Sequence, residues 1–266
     1  MRRIAAALLV LGFVAGAGWW YYRSSRFEPA SQADAVSNEV NWLDHISSHN
    51  PSVAEEARRQ LKIQHSSALP AIRETLRNPT AAEEHKKAAL KGCAVLGMDA
   101  AGAIDEVAAH LGVPALTVDA AVALSFMGEE AFVPLRNALS SEDPIVRREA
   151  LRSIGKLHAR VSLPSGVVVP LLLDGLADAD GGVRMVSAIY LGIIHDEGEV
   201  VVPELIEMLE DESPDVRTAA AAALGSFGTD AEVAVPALQK AKTDRDENVA
   251  RQAGVSLVKL NRTPPP

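Results

Sequence analysis

The chain repeats a unit of roughly 33 residues, a period typical of helical-hairpin repeats. Its clearest copies open on Val-Pro, at Val133-Pro134-Leu135, Val169-Pro170-Leu171, Val202-Pro203-Glu204 and Val235-Pro236-Ala237. The four prolines are 36, 33 and 33 residues apart. A unit of this length is one helical hairpin, too small to bury its own apolar face, so it must stack on copies of itself. The product is a rod with a long surface rather than a globule around a pocket. Aromatic residues make up only 4% of the chain while hydrophobic residues make up 48%, with alanine, leucine and valine prominent, which suits closely packed helices.

The sixth copy serves as the type. Its pattern places Pro203 in the first turn of a helix A, where the missing N–H is of no consequence. Leu205, Ile206 and Leu209 form the apolar stripe of that helix, and Glu210-Asp211-Glu212-Ser213 ends it. Pro214 starts helix B with Ser213 as its cap, and Val216, Ala220 and Leu224 give that helix its buried face. Gly225 and Gly228 let the chain leave the helix. Earlier copies carry fewer of these marks. Asn50-Pro51-Ser52-Val53 in the first matches Ser213-Pro214-Asp215-Val216, and Leu69-Pro70-Ala71-Ile72 opens the second. The third begins near Ala103-Ile104, lacks the opening Val-Pro mark and keeps the four-residue spacing in Leu116, Ala120 and Leu124. With starts at 40, 70, 103, 134, 170, 203 and 236, residues 40–261 are expected to form an all-α solenoid of about seven hairpins. Residues 262–266 form a proline-rich tail that cannot extend a helix.

This pattern resembles the HEAT repeat family, in particular the short type found in phycobilisome-lyase-like proteins. The resemblance implies a right-handed α-α superhelix whose B helices line the concave side. It also implies hydrogen bonds across neighbouring units between an Asp before helix B and an Arg just after its Val. The matching residues are Asp178 with Arg184 and Asp211 with Arg217. Arg147 matches while Ser141 holds the Asp position. Asp244 matches while Ala250 follows Val249 and the arginine falls one place late, at Arg251.

Ahead of the repeats, Arg2-Arg3 precedes nineteen uncharged residues, Ile4 to Tyr22, followed by Arg23 and Arg26. As a helix this run would be about 28 Å long, enough for a hydrocarbon core, and Trp19-Trp20-Tyr21-Tyr22 closes it where an interfacial aromatic belt belongs. Residues 1–22 are therefore expected to form a hydrophobic helix that anchors the chain in a membrane. The short basic amino end places the solenoid outside the cytoplasm, on the periplasmic side in a bacterium. The competing fate is a signal peptide cleaved near Ala15-Gly16-Ala17, which would leave a secreted protein. Residues 23–39 read as a polar linker.

No motif for catalysis or cofactor binding emerges. The sequence has no Gly-rich phosphate loop, no Gly-x-Ser-x-Gly elbow, no His-Glu-x-x-His and no His-Glu dipeptide. His195-Asp196-Glu197-Gly198-Glu199 falls in the link between two copies, and Asp178-Ala179-Asp180-Gly181 coincides with the repeat's own turn, with Ser187 where a calcium loop needs its closing Glu. Catalytic, cofactor and metal residues are accordingly set at none. Cys93, the single cysteine, reads as a small buried hydrophobe. A net charge of −9 is the wrong sign for a general phosphate-binding surface, so nucleic acid is not expected as a partner. Twelve acidic residues between Asp174 and Asp215, against Arg184 alone, read as a solvated face.

What remains is a surface. The positions two, six and ten residues after the marker Val form one stripe on helix B. They hold Arg148, Arg152 and Lys156 in the fourth copy and Met185, Ile189 and Ile193 in the fifth. Thr218, Ala222 and Ser226 occupy them in the sixth copy, and Arg251, Val255 and Lys259 in the seventh. A basic ridge beside an apolar one suits an amphipathic segment of a protein partner. Burial of Met185, Ile189 and Ile193 against the next copy would remove that groove. The reading is a membrane-tethered, non-catalytic scaffold or adaptor that binds a protein partner. The alternative is a lyase-like enzyme or accessory subunit acting on a modified protein or pigment.

Overall fold

Helix B of each copy lies against helix B of the next, and this row of contacts runs through the computed structural model from end to end. The structure describes Leu43 and residues 45–261, among which every regular element is helical. The first copy contributes its helix B, α1 (Pro51–Ile63). The second pairs α2 (His65–Arg77) with α3 (Glu83–Leu96), and the third pairs α4 (Ile104–Ala108) with α5 (Thr117–Leu124). Then follow α6 (Phe132–Ala138) with α7 (Pro144–Val161), α8 (Ser165–Leu176) with α9 (Gly181–Ile194), α10 (Gly198–Glu207) with α11 (Pro214–Leu224), and α12 (Val235–Ala241) with α13 (Glu247–Leu260). Short 3₁₀ turns lead into α4, α6 and α12. The expected hydrophobic helix at Ile4–Tyr22 and the tail at 262–266 lie outside the described residues. Among the described residues no helix is long and apolar enough to cross a membrane.

The B helices start at defined places because side chains supply the hydrogen bonds that the first turn lacks. Asn50 Oδ1 accepts from the Ser52 amide, Asp143 Oδ1 from Ile145, Asp180 Oδ1 from Val183, and Asp246 Oδ1 from Asn248. Pro51, Pro144 and Pro214 add a backbone angle already suited to a helix. The marker residues Val146, Val183, Val216 and Val249 are all buried, as are Ala220, Leu224, Leu116, Ala120 and Leu124. Cys93 is fully buried in α3, and burial pushes its thiol up to about 12.

Three details depart from the sequence reading. Pro203 does not open helix A. It lies inside α10, as Pro170 lies inside α8 and Pro70 inside α2. The helices begin several residues upstream because Val201 and Val202, and Val168 and Val169, are buried there; that apolar contact outweighs the one helical bond the proline ring cannot make. Ser213 occupies the cap position of α11, but its hydroxyl makes no capping bond; the loop is held instead by Asp211 Oδ1, which accepts from the Ser213 amide at 2.8 Å. Gly225 keeps a right-handed backbone, with φ −68°, so it does not carry the exit from the helix; Gly228 does, with φ +57°.

The role of Gly225 is contact. The residue nine places after the marker Val is glycine in the fourth, fifth and sixth copies, and it meets the residue seven places after the marker in the next copy. Gly155 faces Tyr190, Gly192 faces Ala223 and Gly225 faces Ser256. A Cβ on Gly192 would come within 2.6 Å of the Ala223 Cα, so the two backbones approach more closely than any side chain permits. Small polar side chains bridge the same seam. Ser153 Oγ donates to the Ala121 carbonyl at 2.8 Å and Ser256 Oγ to the Ala221 carbonyl at 2.6 Å, the same repeat positions in both cases.

Helix propensity and packing therefore oppose each other at these glycines. Gly192→Ala gains about 1 kcal/mol of propensity but overpacks a seam with no room, at a cost of about 1–3 kcal/mol; it should melt below the parent. Gly254→Ala, on α13 with open space where the methyl would go, should melt at or above the parent. Thermal unfolding of the two variants checks this, and the opposite order would contradict the close approach.

Candidate partner-binding face

Beside the helix-B seam runs a ladder of ion pairs, and its register accounts for which charges are spoken for. Each arginine just after a marker Val reaches forward to the next copy. Arg147 binds Asp178 through two bonds of 2.7 Å, Arg184 binds Asp211 at 2.7 and 2.9 Å, and Arg217 binds Asp244 at 2.8 and 2.9 Å. The remaining guanidinium nitrogen of each turns back to its own loop: Arg147 to the carbonyls of Ser141 and Glu142, Arg184 to Asp178 and Ala179, Arg217 to Asp211 and Glu212. Each aspartate also accepts the amide two residues on.

This forward register explains both departures from the repeat pattern. Ser141 needs no carboxylate because the third copy has Thr117 in place of the arginine, and Thr117 Oγ1 donates to the carbonyls of Leu111 and Val113 within its own copy. Asp244 does not depend on Ala250, because Arg217 from the copy before holds it. Between the second and third copies the link is made by helices A instead, where Arg73 and Arg77 both bind Glu106.

The ladder carboxyls lie below the usual aspartate range. Arg147 holds Asp178 down and Arg217 holds Asp244 down. Burial pushes Asp211 up, but the bonds from Arg184 and from the Ser213 amide prevail. Openings of about 340 and 390 Å³ at the A–B loops are lined in part by Arg147 with Asp178 and by Arg217 with Asp244, so those charges already have partners.

The stripe predicted on helix B is open to solvent. Ile189 and Ile193 in α9 are 39% and 56% exposed, and Met185 is half-buried. Arg148, Arg152 and Lys156 stand on the neighbouring helix α7, partly exposed. Arg148 and Arg152 share a buried carboxylate, Glu149, at 3.2 and 3.5 Å. The basic and apolar ridges therefore lie on adjacent, packed helices. In the last two copies Ser226, Arg251, Val255 and Lys259 are exposed, while Thr218 and Ala222 are half-buried.

The sequence reading located the third copy but did not carry the stripe into it. Counting from Leu116, the same three positions fall on Val118, Val122 and Phe126 in and just after α5. Val118 is 50% exposed and Phe126 37%, and the Arg160 guanidinium lies 3.7 Å from the centre of the Phe126 ring. The basic ridge is thus flanked by apolar ridges on both sides. Only the signature of four-residue spacing in Leu116, Ala120 and Leu124 could have located it. Among the described residues no three His, Cys, Asp or Glu side chains converge as a metal site.

The HEAT repeats family matches residues 132–204 and 169–258. No curated protein matches the chain in sequence. Among solved structures the chain is similar to Kap121p, with TM-score 0.60 and 16% identity over 77% of this chain and 26% of that one. It is also similar to the complex of Kap95p with RanGDP, with TM-score 0.59 and 14% identity over 88% of this chain and 36% of the matched chain. A third likeness is to YibA of Escherichia coli, with TM-score 0.50 and 15% identity over 89% of this chain and 99% of that one. The chain spans only about a quarter to a third of the first two, and at these identities the likeness is one of fold.

The ladder has a pH signature. Carboxyls lowered by folding contribute stability that is present above the ordinary aspartate pKa of about 3.9 and lost as pH falls through their lowered values. Asp211→Ala leaves the buried Arg184 with only the exposed Glu212, at 3.4 Å, as counter-charge and should cost about 3 kcal/mol at pH 7; its stability should also fall less steeply than the parent's below about pH 4. Denaturant unfolding at pH 7 and pH 3 measures both, and a variant as stable as the parent at pH 7 would contradict the ladder.

Proposed function

The chain is a HEAT-repeat protein, and we propose that it is a non-catalytic scaffold that binds a protein partner on its helix-B face and holds it near a membrane. One observation carries the binding part: Ile189 and Ile193 remain in solvent on a helix whose opposite side is fully packed. Large apolar side chains set side by side with a basic ridge, on elements fixed by the core, are what a partner segment needs for both area and charge. Arg148, Arg152 and Lys156 form the basic ridge, and Met185, Ile189 and Ile193 the apolar one.

Support for the membrane part comes from the sequence of Ile4–Tyr22, an uncharged run of spanning length bounded by arginines and ending in aromatic residues. With that anchor retained, the solenoid sits on the far side of the membrane from the short basic amino end.

Capture of partners from carbonate-washed membranes tests both parts. The full chain should stay with the membranes and bring down a partner that Arg148→Glu/Arg152→Glu and Ile189→Ser/Ile193→Ser each release. Capture unchanged by both pairs of substitutions would remove the basis of the binding face, and full release of the chain by carbonate would remove the anchor.

A further inference from the structure

Charge is segregated on this molecule in a way that its net value conceals. From the third copy to the seventh, the three stripe positions of helix B carry five Lys or Arg and no Asp or Glu, in a chain with 35 acidic residues against 26 basic ones. The acids between Asp174 and Asp215 sit elsewhere: Glu204, Glu207 and Glu210 are exposed on and just after α10, a helix A, while Asp178 and Asp211 are consumed by the ladder. Three helices, α5, α7 and α9, form the centre of the face. They carry only two acids, Asp119 and the buried Glu149, against six Lys or Arg, of which Arg147 and Arg184 serve the ladder. Arg152 and Lys156 thus leave a surplus of positive charge that Glu149 does not cancel.

From this arrangement we infer that the face takes an acidic, extended segment of a partner protein, with one apolar side chain on each side of an acidic centre. The inference rests on the reading above that the face holds a protein partner, and it names the partner's chemistry. The anchors are Val118 with Phe126 on one flank and Ile189 with Ile193 on the other; Arg152 and Lys156 lie between them. Packed helices stand about 8–10 Å apart, so the two apolar ridges are separated by about 16–20 Å. An extended chain covers that distance in about six residues and turns alternate side chains to the same side. The matching segment therefore has apolar residues six apart and acidic residues two and four places after the first of them. Nucleic acid would satisfy the basic ridge but leave both apolar flanks uncovered.

The test is fluorescence anisotropy of the full chain with a labelled heptapeptide bearing leucine at positions one and seven, glutamate at three and five, and serine elsewhere. Saturable binding is expected, weakened about tenfold or more by Arg152→Glu/Lys156→Glu and by Ile189→Ser/Val118→Ser, and weakened by added salt. These side chains are wholly or partly exposed; if the charge reversal unfolds the chain, Arg152→Gln/Lys156→Gln replaces it. No binding of the glutamate peptide would overturn the inference. Equal or tighter binding of a lysine version, lost on Ile189→Ser/Val118→Ser, would overturn the acidic class while leaving the face itself as a protein-binding surface. Displacement of the peptide by oligothymidylate would shift the site to nucleic acid. Sedimentation showing that the chain occupies its own face in a second copy would likewise overturn it.

Discussion

The close approach of one B helix to the next is the constraint on which the rest depends. No hairpin here encloses a core of its own; Val216, Ala220 and Leu224 are dry because copies before and after cover them. Distance between neighbouring helices is therefore the quantity the sequence must control, and it does so with a glycine at a fixed repeat position. Gly192 and Gly225 allow contact near backbone distance, Gly155 makes room for the Tyr190 ring, and Ser153 and Ser256 add hydrogen bonds across the seam. The Arg–Asp ladder sets register along the same row. Burying an ion pair adds little net stability, but a bidentate pair tied to two loop carbonyls tolerates only one alignment of the copies.

That division of labour leaves a face without structural duties. The marker valines, glycines and ladder arginines occupy the packed sides of helix B, so the positions two, six and ten residues after the marker are free to vary in character. They vary strongly: apolar in the third and fifth copies, basic in the fourth, small in the sixth. Such a row reads a partner by sequence along its length, with the solenoid as a rigid ruler.

Much of this was legible in the residues alone. The Val-Pro period gave the spacing of the last four copies, and the four-residue spacing of Val216, Ala220 and Leu224 gave the buried face, but the residues alone do not decide whether the stripe beside it is open. Other features depend on distances between copies, which no single copy encodes. Gly225 reads locally as a helix end, and only the presence of Ser256 opposite shows that it is a contact. Pro203 reads as a helix start because a proline suits a first turn, whereas burial of Val201 and Val202 draws the helix upstream. The ladder residues were visible, but not their forward register; once that register is known, Ser141 ceases to be an exception and Asp244 has its partner in Arg217. The apolar ridge of the third copy was hidden because Thr117 replaces the arginine and the proline that opens helix A is missing.

If stability resides in the interfaces between copies, removing the seventh copy from residue 228 onward is the most direct measurement. The shortened chain should still unfold cooperatively and keep the helical signal of the copies that remain, with a lower melting temperature because Leu224 and Gly225 lose their cover and Arg217 loses Asp244. Loss of all helical structure, or a melting temperature equal to that of the full chain, would contradict a stack held together by nearest neighbours.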